Sequence, residues 1–470
     1  MKKLRTILPS HRFTECQRQK IAELAETGIV VDFDDSRSGS IAYGQGANIG
    51  DQGAGVIDLS SSDKARISEI VKKVICDPNV QLFLLRRNDG ISRKFRSRHA
   101  LRVQNELINF VHIVYFFHLR KQIDFLILSS TPHSLRNYVE TLIYQELGVA
   151  VLIIERTFSP KYHSIRVGLS GGGELLPLGG MSANEGEAYE NEVADRLNIA
   201  SGNYCHAIPD YERRRLEVNG GAVFSALVTA RKNRFRLGRT LHAVTMWREL
   251  KRFSSQSLPE KYVAFFLQYQ PERTSLPEAG IFCNQYEAIQ MLRRAVPKDT
   301  VVLVREHPST FSNNCDKIWR WSGFYSEIDA IDGVEICDIE SNPFDVIDRA
   351  QAVATLTGTV GFEARARGVP VVFFGKQFLP DSPGVHRFQT YDRLEKFLSE
   401  SCARIGDADL GAFQEALCGA SAFVYRAKEH SEFDQNTSSV VDALLEISSS
   451  EKARQYIFRL CGSEPKVYRG

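Results

Sequence analysis

The sequence predicts an α/β protein built from two halves, each with a parallel sheet. Its 470 residues exceed the ~250–300 at which one hydrophobic core stops growing, so two domains are expected. In both halves short apolar runs alternate with amphipathic stretches, which is the β-α-β order of a parallel sheet covered by helices. We place an N-terminal domain at 1–253, a polar linker at 254–261, a second domain at 262–430 and a helical segment at 431–470.

The alternation in the first half is plainest at 123–156. The run IDFLILSS is a buried strand, SLRNYVETLIYQELG is a helix that ends at Gly148, and VAVLIIER is the next strand. Glycine is preferred just past a helix C-terminus because it adopts positive φ without strain. Before this unit we predict irregular structure over the first 60 residues, then a helix at 64–76, a strand at 80–87 and a helix at 98–122.

The same alternation restarts after the linker. Strands are predicted to begin at Tyr262, Thr300, Val334, Ala352 and Pro370, with helices at 284–296, 343–350 and 360–368 and mostly helical structure over 390–460. Ligands of open parallel sheets bind beyond the carboxyl ends of the strands. Two such sheets in tandem predict a cleft between them, so polar side chains at strand ends are the candidates for a site.

Composition and charge exclude several classes of protein. A net charge of +2, with few aromatic residues interleaved in the basic segments 86–102 and 231–239, argues against nucleic acid as a partner. The nine cysteines are scattered without a CxxC pair, which favours reduced thiols in the cytoplasm. The longest apolar run, 110–119, is shorter than the ~20 residues of a membrane span. Any inner-membrane contact is therefore expected to be peripheral, through the basic segments.

A carboxylate follows the first strand of the second half. Pro271 ends that strand because it cannot donate a ladder hydrogen bond, and it holds Glu272 just past the tip. An acid in this place suits a general base or a nucleophile, and an ordinary charged loop is the alternative. Gln268, at the end of the same strand, is a candidate contact of a sugar acceptor.

Arg305, Glu306 and His307 follow the next strand, and Pro308 fixes the turn after them. A neutral histidine can donate a hydrogen bond to a phosphate or ribose oxygen, and a protonated one offsets the charge of a leaving group. We therefore expect Arg305, His307 and Pro308 to contact a nucleotide. A histidine satisfied within the core is the alternative.

Residues 354–375, ATLTGTVGFEARARGVPVVFFG, predict a strand, a polar turn, a helix and a second strand. Thr357, Gly358 and Thr359 stand where the helix begins, and the first N–H groups of a helix lack internal partners and carry partial positive charge. A phosphate fits such a place, and Glu363 can hold ribose hydroxyls. The alternative is a plain helix cap, because threonine is a favoured N-cap residue.

Ser130, Thr131 and His133 follow the apolar run IDFLIL (123–128) in the first half. Hydroxyls beside an imidazole suit hydrogen bonds to a sugar acceptor, and a helix cap at Thr131 or Ser134 is the alternative. No DxD motif or cluster of metal ligands stands at these four strand ends, so neither a metal nor another cofactor is expected.

Three motifs of the second half resemble the bacterial capsule polysaccharide biosynthesis family, whose characterised members include β-Kdo transferases. They are Q-x-x-x-E (Gln268 to Glu272), E-H-P (306–308) and the block TGTVGFEA…GVPVVFFG. The first-half run SSTPH…ETLIYQELGVAVLIIER is similar too, and the resemblance covers roughly 120–180 and 258–380.

The resemblance implies a GT-B-like glycosyltransferase, with two Rossmann-like domains facing across a cleft. It implies a CMP-activated acidic sugar, Kdo or a related nonulosonic acid, as the donor, and a glycan or lipid-linked glycan as the acceptor. By position, His307 corresponds to the histidine that contacts the CMP phosphate, and Thr357, Thr359 and Glu363 correspond to the nucleotide pocket. Glu272 corresponds to the acid that attacks the anomeric carbon in retaining members.

The chemistry of a CMP-sugar agrees with these residues. A single phosphate leaves, and His307 and Arg305 can offset its charge without a metal. Cleavage through an oxocarbenium-like state requires a nearby carboxylate, for which Glu272 is the candidate. This chain has Glu272 where some family members have Asp, and Arg305 where Lys is common.

Two other functions stay open at this point. One is a GT-B enzyme that uses a UDP-sugar, or a nucleotide-sugar epimerase. The other is a non-catalytic module that binds a glycan or a lipid-linked intermediate for export.

Overall fold

Two α/β units make up the part of the chain that the structure, a computed structural model, describes. The first unit joins residues 1–182 to 421–470, and the second spans 183–420. The described residues are 4–8, 15–27, 29–33, 59–88, 97–169, 174–202, 237–270, 275–311, 320–400, 407–426 and 435–462.

Strands and helices are numbered here in chain order. The strands are Leu4–Leu8 (β1), Ile29–Phe33 (β2), Phe125–Leu128 (β3), Ala150–Arg156 (β4), Tyr162–Val167 (β5), Ser254–Ser255 (β6), Tyr262–Phe266 (β7), Val301–Arg305 (β8), Val334–Cys337 (β9), Ala352–Thr355 (β10), Val371–Phe373 (β11), Val385–Arg387 (β12) and Val424–Arg426 (β13). The helices are Glu15–Glu23 (α1), Ser61–Cys76 (α2), Pro78–Asn88 (α3), Ser97–Lys121 (α4), Leu135–Glu146 (α5), Ala183–Ser201 (α6), Leu237–Phe253 (α7), Gln285–Ala295 (α8), Phe324–Asp329 (α9), Pro343–Arg349 (α10), Val360–Ala366 (α11), Tyr391–Glu400 (α12), Asp407–Gly419 (α13), Gln435–Ser449 (α14) and Glu451–Gly462 (α15).

The first unit has a six-stranded sheet in the order β13-β5-β4-β3-β1-β2. The neighbours β2, β1, β3 and β4 run parallel, and β5 and β13 are added antiparallel at one edge. The parallel part confirms the β-α-β prediction for 123–156, in which α5 connects β3 to β4. Gly148, just past α5, has a φ of 84°, the left-handed conformation that glycine adopts without strain.

Two predictions for the first half are wrong. The first 60 residues are not irregular throughout, because β1 lies inside the sheet and β2 at its edge. The predicted strand at 80–87 is helix α3, which begins where Asp77 accepts the N–H of Val80 (2.9 Å) and where Pro78 stands in the first turn. The buried side chains of Val80 and Phe83 are three residues apart, the spacing of one helix face.

The second unit has a seven-stranded sheet in the order β12-β11-β10-β7-β8-β9-β6, with all neighbours parallel. From β7 the chain moves outward through β8 and β9, then returns to the other side of β7 for β10, β11 and β12. The strand order therefore reverses between β7 and β10. Such a switch point, at the carboxyl ends of the strands, is where open α/β sheets bind ligands.

Both faces of the second sheet are buried at its central strands, which explains the uninterrupted apolar sequence of β7. Val263 and Phe265 of β7 lie in the core on one face. Tyr262, Ala264 and Phe266 of the same strand lie in the core on the other face. The sheet can therefore offer polar groups to a ligand only at the strand ends.

The boundaries of the two units differ from the predicted domains. Helices α6 and α7 belong to the second unit, where Met246 and Leu250 of α7 lie in the core with β7. Residues 254–255 of the predicted linker form β6, which pairs with β9. The C-terminal segment returns to the first unit, where Leu444 and Ile457 pack in its core and β13 extends its sheet.

The predicted α/β class with two Rossmann-like domains is confirmed, with the qualification that the first sheet is mixed at one edge. The cleft between the two sheets stays a prediction. Among the described residues, no helix is both long enough and apolar enough to span a bilayer. Residues 89–96 and 231–236 of the basic segments lie outside the described residues, so peripheral membrane contact also stays a prediction.

Gly361 supplies a direct test of the packing between α11 and β11. A Cβ atom at this position would overlap the ring of Phe373, which is itself buried in the core. We expect Gly361→Ala to lower the free energy of unfolding by at least about 1–3 kcal/mol, the usual cost of overpacking a core. Gly411 in α13 is the matched control, because a Cβ there meets nothing within 4 Å.

Alanine at position 411 should leave stability unchanged or raise it by about 0.5–1 kcal/mol, since it only removes the entropic cost of a helical glycine. Urea denaturation of both variants measures the difference. Equal stability of the two variants would contradict the described packing of α11 on the sheet.

Candidate functional site

Three strand ends meet at one edge of the second sheet. In the pairing of β7 with its two neighbours, Phe266 lies opposite Arg305 of β8 and Thr355 of β10. The residues that follow these three positions must therefore share the carboxyl edge at the switch point. Polar side chains occupy this edge on all three strands.

The carboxylate of Glu306 is the centre of these polar groups, and it is fully buried. Its Oε1 atom accepts hydrogen bonds from the backbone N–H of His307 (2.7 Å) and the hydroxyl of Thr310 (3.0 Å). Its Oε2 atom accepts from the hydroxyl of Tyr325 (2.7 Å). Arg320 donates to both oxygens, from Nη2 to Oε1 and from Nε to Oε2, each at 3.0 Å.

These contacts keep Glu306 ionised inside the protein. Burial alone would raise its pKa, but the Arg320 guanidinium and the hydrogen-bond donors hold the pKa below its ordinary value. Burial and the neighbouring Glu306 charge raise the pKa of Tyr325 well above its ordinary value, so this hydroxyl acts as a donor. Burial would lower the pKa of Arg320, and Glu306 raises it. The pair is thus a buried salt bridge with every carboxylate oxygen satisfied.

Arg320 also reaches the end of β7. Its Nη1 donates to Oε1 of Gln270 (2.9 Å) and its Nη2 to the backbone carbonyl of Gln268 (3.0 Å). The side chain of Gln285 holds the same residue from the other side, accepting from the N–H of Gln268 (2.7 Å) and donating to its carbonyl (3.0 Å). The backbone after β7 is therefore fixed at both of its polar groups.

The side chain of Gln268 continues the network to the turn after β10. We assign its amide so that Oε1 faces the donors of that turn. In this orientation Oε1 accepts from the N–H of Gly358 (2.7 Å), the N–H of Thr357 (3.2 Å) and the hydroxyl of Thr357 (3.1 Å). One network of hydrogen bonds thus connects the ends of β8, β7 and β10.

His307 is half-buried above this network, next to the ring of Tyr269 at a centroid distance of 6.4 Å. Its Nδ1 atom accepts the backbone N–H of Ser309 (3.1 Å), so we assign the proton of the neutral ring to Nε2. Pro308 begins the 3₁₀ turn Pro308–Phe311 that supplies this N–H. The predicted turn at Pro308 is confirmed as a structural feature, and its role toward a nucleotide stays a prediction.

Among the residues predicted for the nucleotide after β10, Thr359 is exposed, and Gly358 and Glu363 are half-buried. Thr359 precedes α11 in helical conformation and its hydroxyl makes no capping hydrogen bond. The plain helix cap at Thr359 is therefore wrong, and its hydroxyl is accessible at the edge. The structure brings Gly358, Thr359, Glu363 and His307 to the same edge of one sheet.

Three predicted contacts receive different roles in the structure. Arg305 is buried, and its Nη2 donates to the carbonyls of Ile339 (3.2 Å) and Ser341 (3.0 Å) after β9, which argues against a phosphate contact. Gln268 is buried within the network, which argues against the predicted contact with an acceptor. Thr357 is buried against the side chain of Gln268, which leaves its hydroxyl a structural group.

The candidate acceptor residues lie in the first unit, after β3. Thr131 is buried and its hydroxyl accepts a hydrogen bond from Nη2 of Arg166 (3.2 Å), so its role there is structural. Ser134 is the N-cap of α5 and accepts from the N–H of Asn137 (3.3 Å). Ser130 is half-buried and His133 is exposed, so these two keep the predicted role as candidates.

Glu272 lies in 271–274, outside the described residues. The residues on either side of this segment are anchored. Gln270 accepts from Arg320 and donates to the carbonyl of Cys283 (2.6 Å), and Ser275 is buried. The catalytic role of Glu272 stays a prediction.

Sequence reasoning missed Arg320, Tyr325 and Gln285. None of them follows a strand, so the strand-end criterion could not select them. One signal was available: a carboxylate placed directly after a buried strand, as Glu306 is, requires a cation nearby. Among the described residues no group of three or more His, Cys, Asp or Glu could hold a metal ion.

A cavity of about 350 Å³ lies elsewhere in the second unit. It is lined by residues that precede strands, among them Glu260 before β7 and Gln351 before β10. It therefore opens at the amino edge of the sheet, opposite the edge that carries His307. Because parallel sheets bind ligands at their carboxyl edge, we place the candidate site at the latter.

Comparison with known protein families gives a match that lies almost entirely in the second unit. Residues 182–400 match the family described as capsule polysaccharide biosynthesis protein. No curated protein matches the sequence at a significant level. The similar first-half run at 120–180 lies outside the matched residues, so that part of the resemblance stays a prediction.

Several solved structures are similar to this chain at low identity. Thermosulfurimonas dismutans KpsC, a β-Kdo 2,7 transferase, has 12% identity and a TM-score of 0.34, with 98% of this chain and 99% of that chain covered. The β-Kdo 2,4 transferase of the same protein has 12% identity and a TM-score of 0.33, with 69% and 87% covered. The UDP-GlcNAc 2-epimerase of Methanocaldococcus jannaschii, in complex with UDP-GlcNAc and UDP, has 12% identity and a TM-score of 0.24, with 65% and 78% covered.

Likeness at these TM-scores decides no reaction, so the family assignment depends on the sequence match. That match contains Gln268, Glu306, His307, Arg320 and Thr359, the residues that form or border the network. The resemblance to the capsule polysaccharide biosynthesis family is therefore confirmed over residues 182–400, the part of the chain that matches that family.

Proposed function

We propose that this chain is a glycosyltransferase of surface polysaccharide synthesis that transfers an acidic sugar, Kdo or a related nonulosonic acid, from a CMP-sugar to a glycan. One observation carries the proposal. Within the residues that match the capsule family, a buried network joins three strand ends and presents His307 at the switch point of a Rossmann-like sheet. This is the arrangement expected of a nucleotide site rather than of a purely structural edge.

In this proposal the second unit binds the donor. The Nε2–H group of His307 donates to the phosphate that leaves with cytidine, and the Thr359 hydroxyl offers a further donor. Glu363 holds the ribose hydroxyls. Donors that are already oriented before the reaction stabilise developing negative charge without reorganising, and this is usually the largest electrostatic term in catalysis.

Glu272 supplies the carboxylate that a sugar cleaved through an oxocarbenium-like state requires. The anchored side chain of Gln270 and the buried Ser275 keep the ends of its segment at the second sheet. Ser130 and His133 of the first unit are the proposed contacts of the acceptor, a glycan or a lipid-linked glycan. We place the enzyme in the cytoplasm, with peripheral contact at the inner membrane.

Nucleotide-dependent thermal stabilisation tests the donor. A ligand that binds only the folded state stabilises it by about 2.7 kcal/mol at a concentration of 100 Kd. We expect CMP to raise the melting temperature more than UDP does at the same concentration. A larger shift with UDP would replace the proposal by a UDP-sugar enzyme or an epimerase.

Release of CMP from CMP-Kdo and CMP-sialic acid tests the reaction itself. Glu272→Gln should abolish most of the turnover, because the amide keeps the size of the side chain but loses its charge. Glu335→Gln is the matched control, since Glu335 is an exposed residue of β9. Full turnover of the Glu272→Gln variant would remove Glu272 from the mechanism, and no turnover by the wild type would favour a non-catalytic binding module.

A further inference from the structure

Glu306 contacts both sides of the turn that follows β8. Its Oε1 atom accepts the backbone N–H of His307 before the turn (2.7 Å) and the hydroxyl of Thr310 within it (3.0 Å). The backbone N–H of Thr310 donates to the carbonyl of His307 (3.0 Å), which closes the turn. One carboxylate oxygen and one backbone hydrogen bond therefore connect the two ends of residues 307–310.

Ser309 lies between these two contacts, and its N–H points at the imidazole. The hydrogen bond from Ser309 N to Nδ1 of His307 is 3.1 Å long. It requires an unprotonated Nδ1, so it selects the tautomer with the proton on Nε2. A shift of the turn would remove this bond and with it the preference for that tautomer.

We propose that Glu306 is a positioning residue for His307: it holds the turn 308–311 so that Ser309 occupies Nδ1 and Nε2–H is directed as the donor of the ring. The proposal rests on the proposed function only in naming the leaving phosphate as the group that receives this hydrogen bond. Glu306 itself is fully buried and therefore out of reach of a substrate at the surface, so in this proposal it acts through His307 and Thr310.

The charge of Glu306 is what this role requires. A carboxylate has only acceptor sites, and here it receives donors from His307, Thr310, Tyr325 and Arg320. A glutamine side chain would turn an NH₂ group toward some of these donors and break the set. Arg320, which donates to both oxygens, and Tyr325, which donates to Oε2, hold the carboxylate in place.

Substitution of Thr310 tests this proposal with little change in packing. Thr310→Val removes the hydroxyl and keeps the shape of the side chain, and Thr310→Ser is the control that keeps the hydroxyl. The bond itself is measured by the ¹⁵N–¹⁵N coupling across Ser309 N–H···Nδ1 of His307 in the ligand-free protein at pH 8. We expect this coupling in the wild type and in Thr310→Ser, and its loss in Thr310→Val. Glu306→Gln should lose it as well, if that variant folds.

Measurements of kcat and KM distinguish a positioning role of Glu306 and Thr310 from a merely structural one. Thr310→Val should lower kcat for CMP release from CMP-Kdo about tenfold with KM nearly unchanged, less than the ~10² that a 1 Å misplacement costs. Thr310→Ser should restore kcat to within about twofold of the wild type.

An unchanged coupling in Thr310→Val, or a lost coupling with unchanged kcat, would overturn the proposal. A wild type that binds no CMP would refute the proposed donor instead. The coupling would then still decide whether Glu306 and Thr310 hold the ring of His307.

Discussion

Replacing His307 with alanine is expected to lower kcat for CMP release from CMP-Kdo by about 10²–10³-fold, the usual cost of removing one oriented donor to a developing anion. The imidazole is half-buried, its Nδ1 is occupied by Ser309, and its Nε2 carries the donated proton. The side chain is half-buried and its ring centroid lies 6.4 Å from that of Tyr269, so the free energy of unfolding should change by less than about 1 kcal/mol. Steady-state kinetics and urea denaturation of the same preparation measure both quantities.

Two further substitutions show which ring nitrogen matters. The amide nitrogen of glutamine falls near the position of Nε2, whereas that of asparagine falls near Nδ1. We therefore expect His307→Gln to retain clearly more activity than His307→Asn, which should resemble His307→Ala. Equal activity of the glutamine and asparagine variants would contradict the donor role of Nε2, and wild-type activity of all three would remove His307 from the site.

Replacing Arg320 with methionine is expected to lower the free energy of unfolding by about 3–5 kcal/mol, the cost of leaving a buried charge without its partner. Arg320 is buried, and its guanidinium meets Glu306, Gln268 and Gln270. Methionine fills similar space but satisfies none of these groups. Arg294→Met is the matched control: Arg294 is exposed on α8, so its loss should cost less than about 0.5 kcal/mol.

The pH dependence of this effect has a definite sign. In the wild type the pKa of Glu306 is lowered, so the pair stabilises the fold above the unfolded pKa of about 4.3 and loses this contribution as the pH falls through the folded pKa. In Arg320→Met the carboxylate is buried without its cation, so its pKa should rise and its charge should cost stability at neutral pH. The difference between variant and wild type should therefore be larger at pH 7.5 than at pH 4.5.

Denaturation curves at the two pH values measure this difference. A loss for Arg320→Met no larger than that of Arg294→Met would show that the buried pair contributes little. A loss that is the same at both pH values would show that Glu306 is not the group that loses its partner.

The α/β class and most strands of the second unit could be predicted because both faces of that sheet are buried. A doubly buried parallel strand leaves an uninterrupted apolar run, as in residues 262–266, and polar residues begin where it ends. The same reasoning failed at 80–87, where an apolar stretch that looked like a strand is a helix started by Asp77 and Pro78. It also failed at β1, a short strand whose sequence carries an arginine and a threonine among apolar residues.

The sequence pattern of a helix could not predict which of the two sheets the helix packs against. Helix α7 and the C-terminal helices α14 and α15 have ordinary amphipathic sequences, and nothing in them states which core they cover. The division at 182 and 420 follows from packing between residues far apart in the chain. Linker-like composition at 254–261 was misleading because a two-residue strand needs no apolar pattern.

The position of the candidate site on the sheet could be predicted from the sequence, but the roles of its individual residues could not. Strand ends located His307 and Thr359 correctly on one edge, because the carboxyl ends of parallel strands share that edge. Position alone could not tell that Gln268 and Arg305 point into the protein, since that depends on partners such as Gln285 and the carbonyl of Ser341. A polar residue at a strand end can hold neighbouring residues in place instead of contacting a ligand, as Gln268 and Arg305 do.

A crystal structure of the protein with CMP tests the central claim most directly. We predict the nucleotide at the carboxyl edge of the second sheet, with a phosphate oxygen within hydrogen-bond distance of Nε2 of His307 and the ribose beside Glu363. A nucleotide bound at the amino edge near Gln351, or one that leaves His307 without contact, would contradict the account.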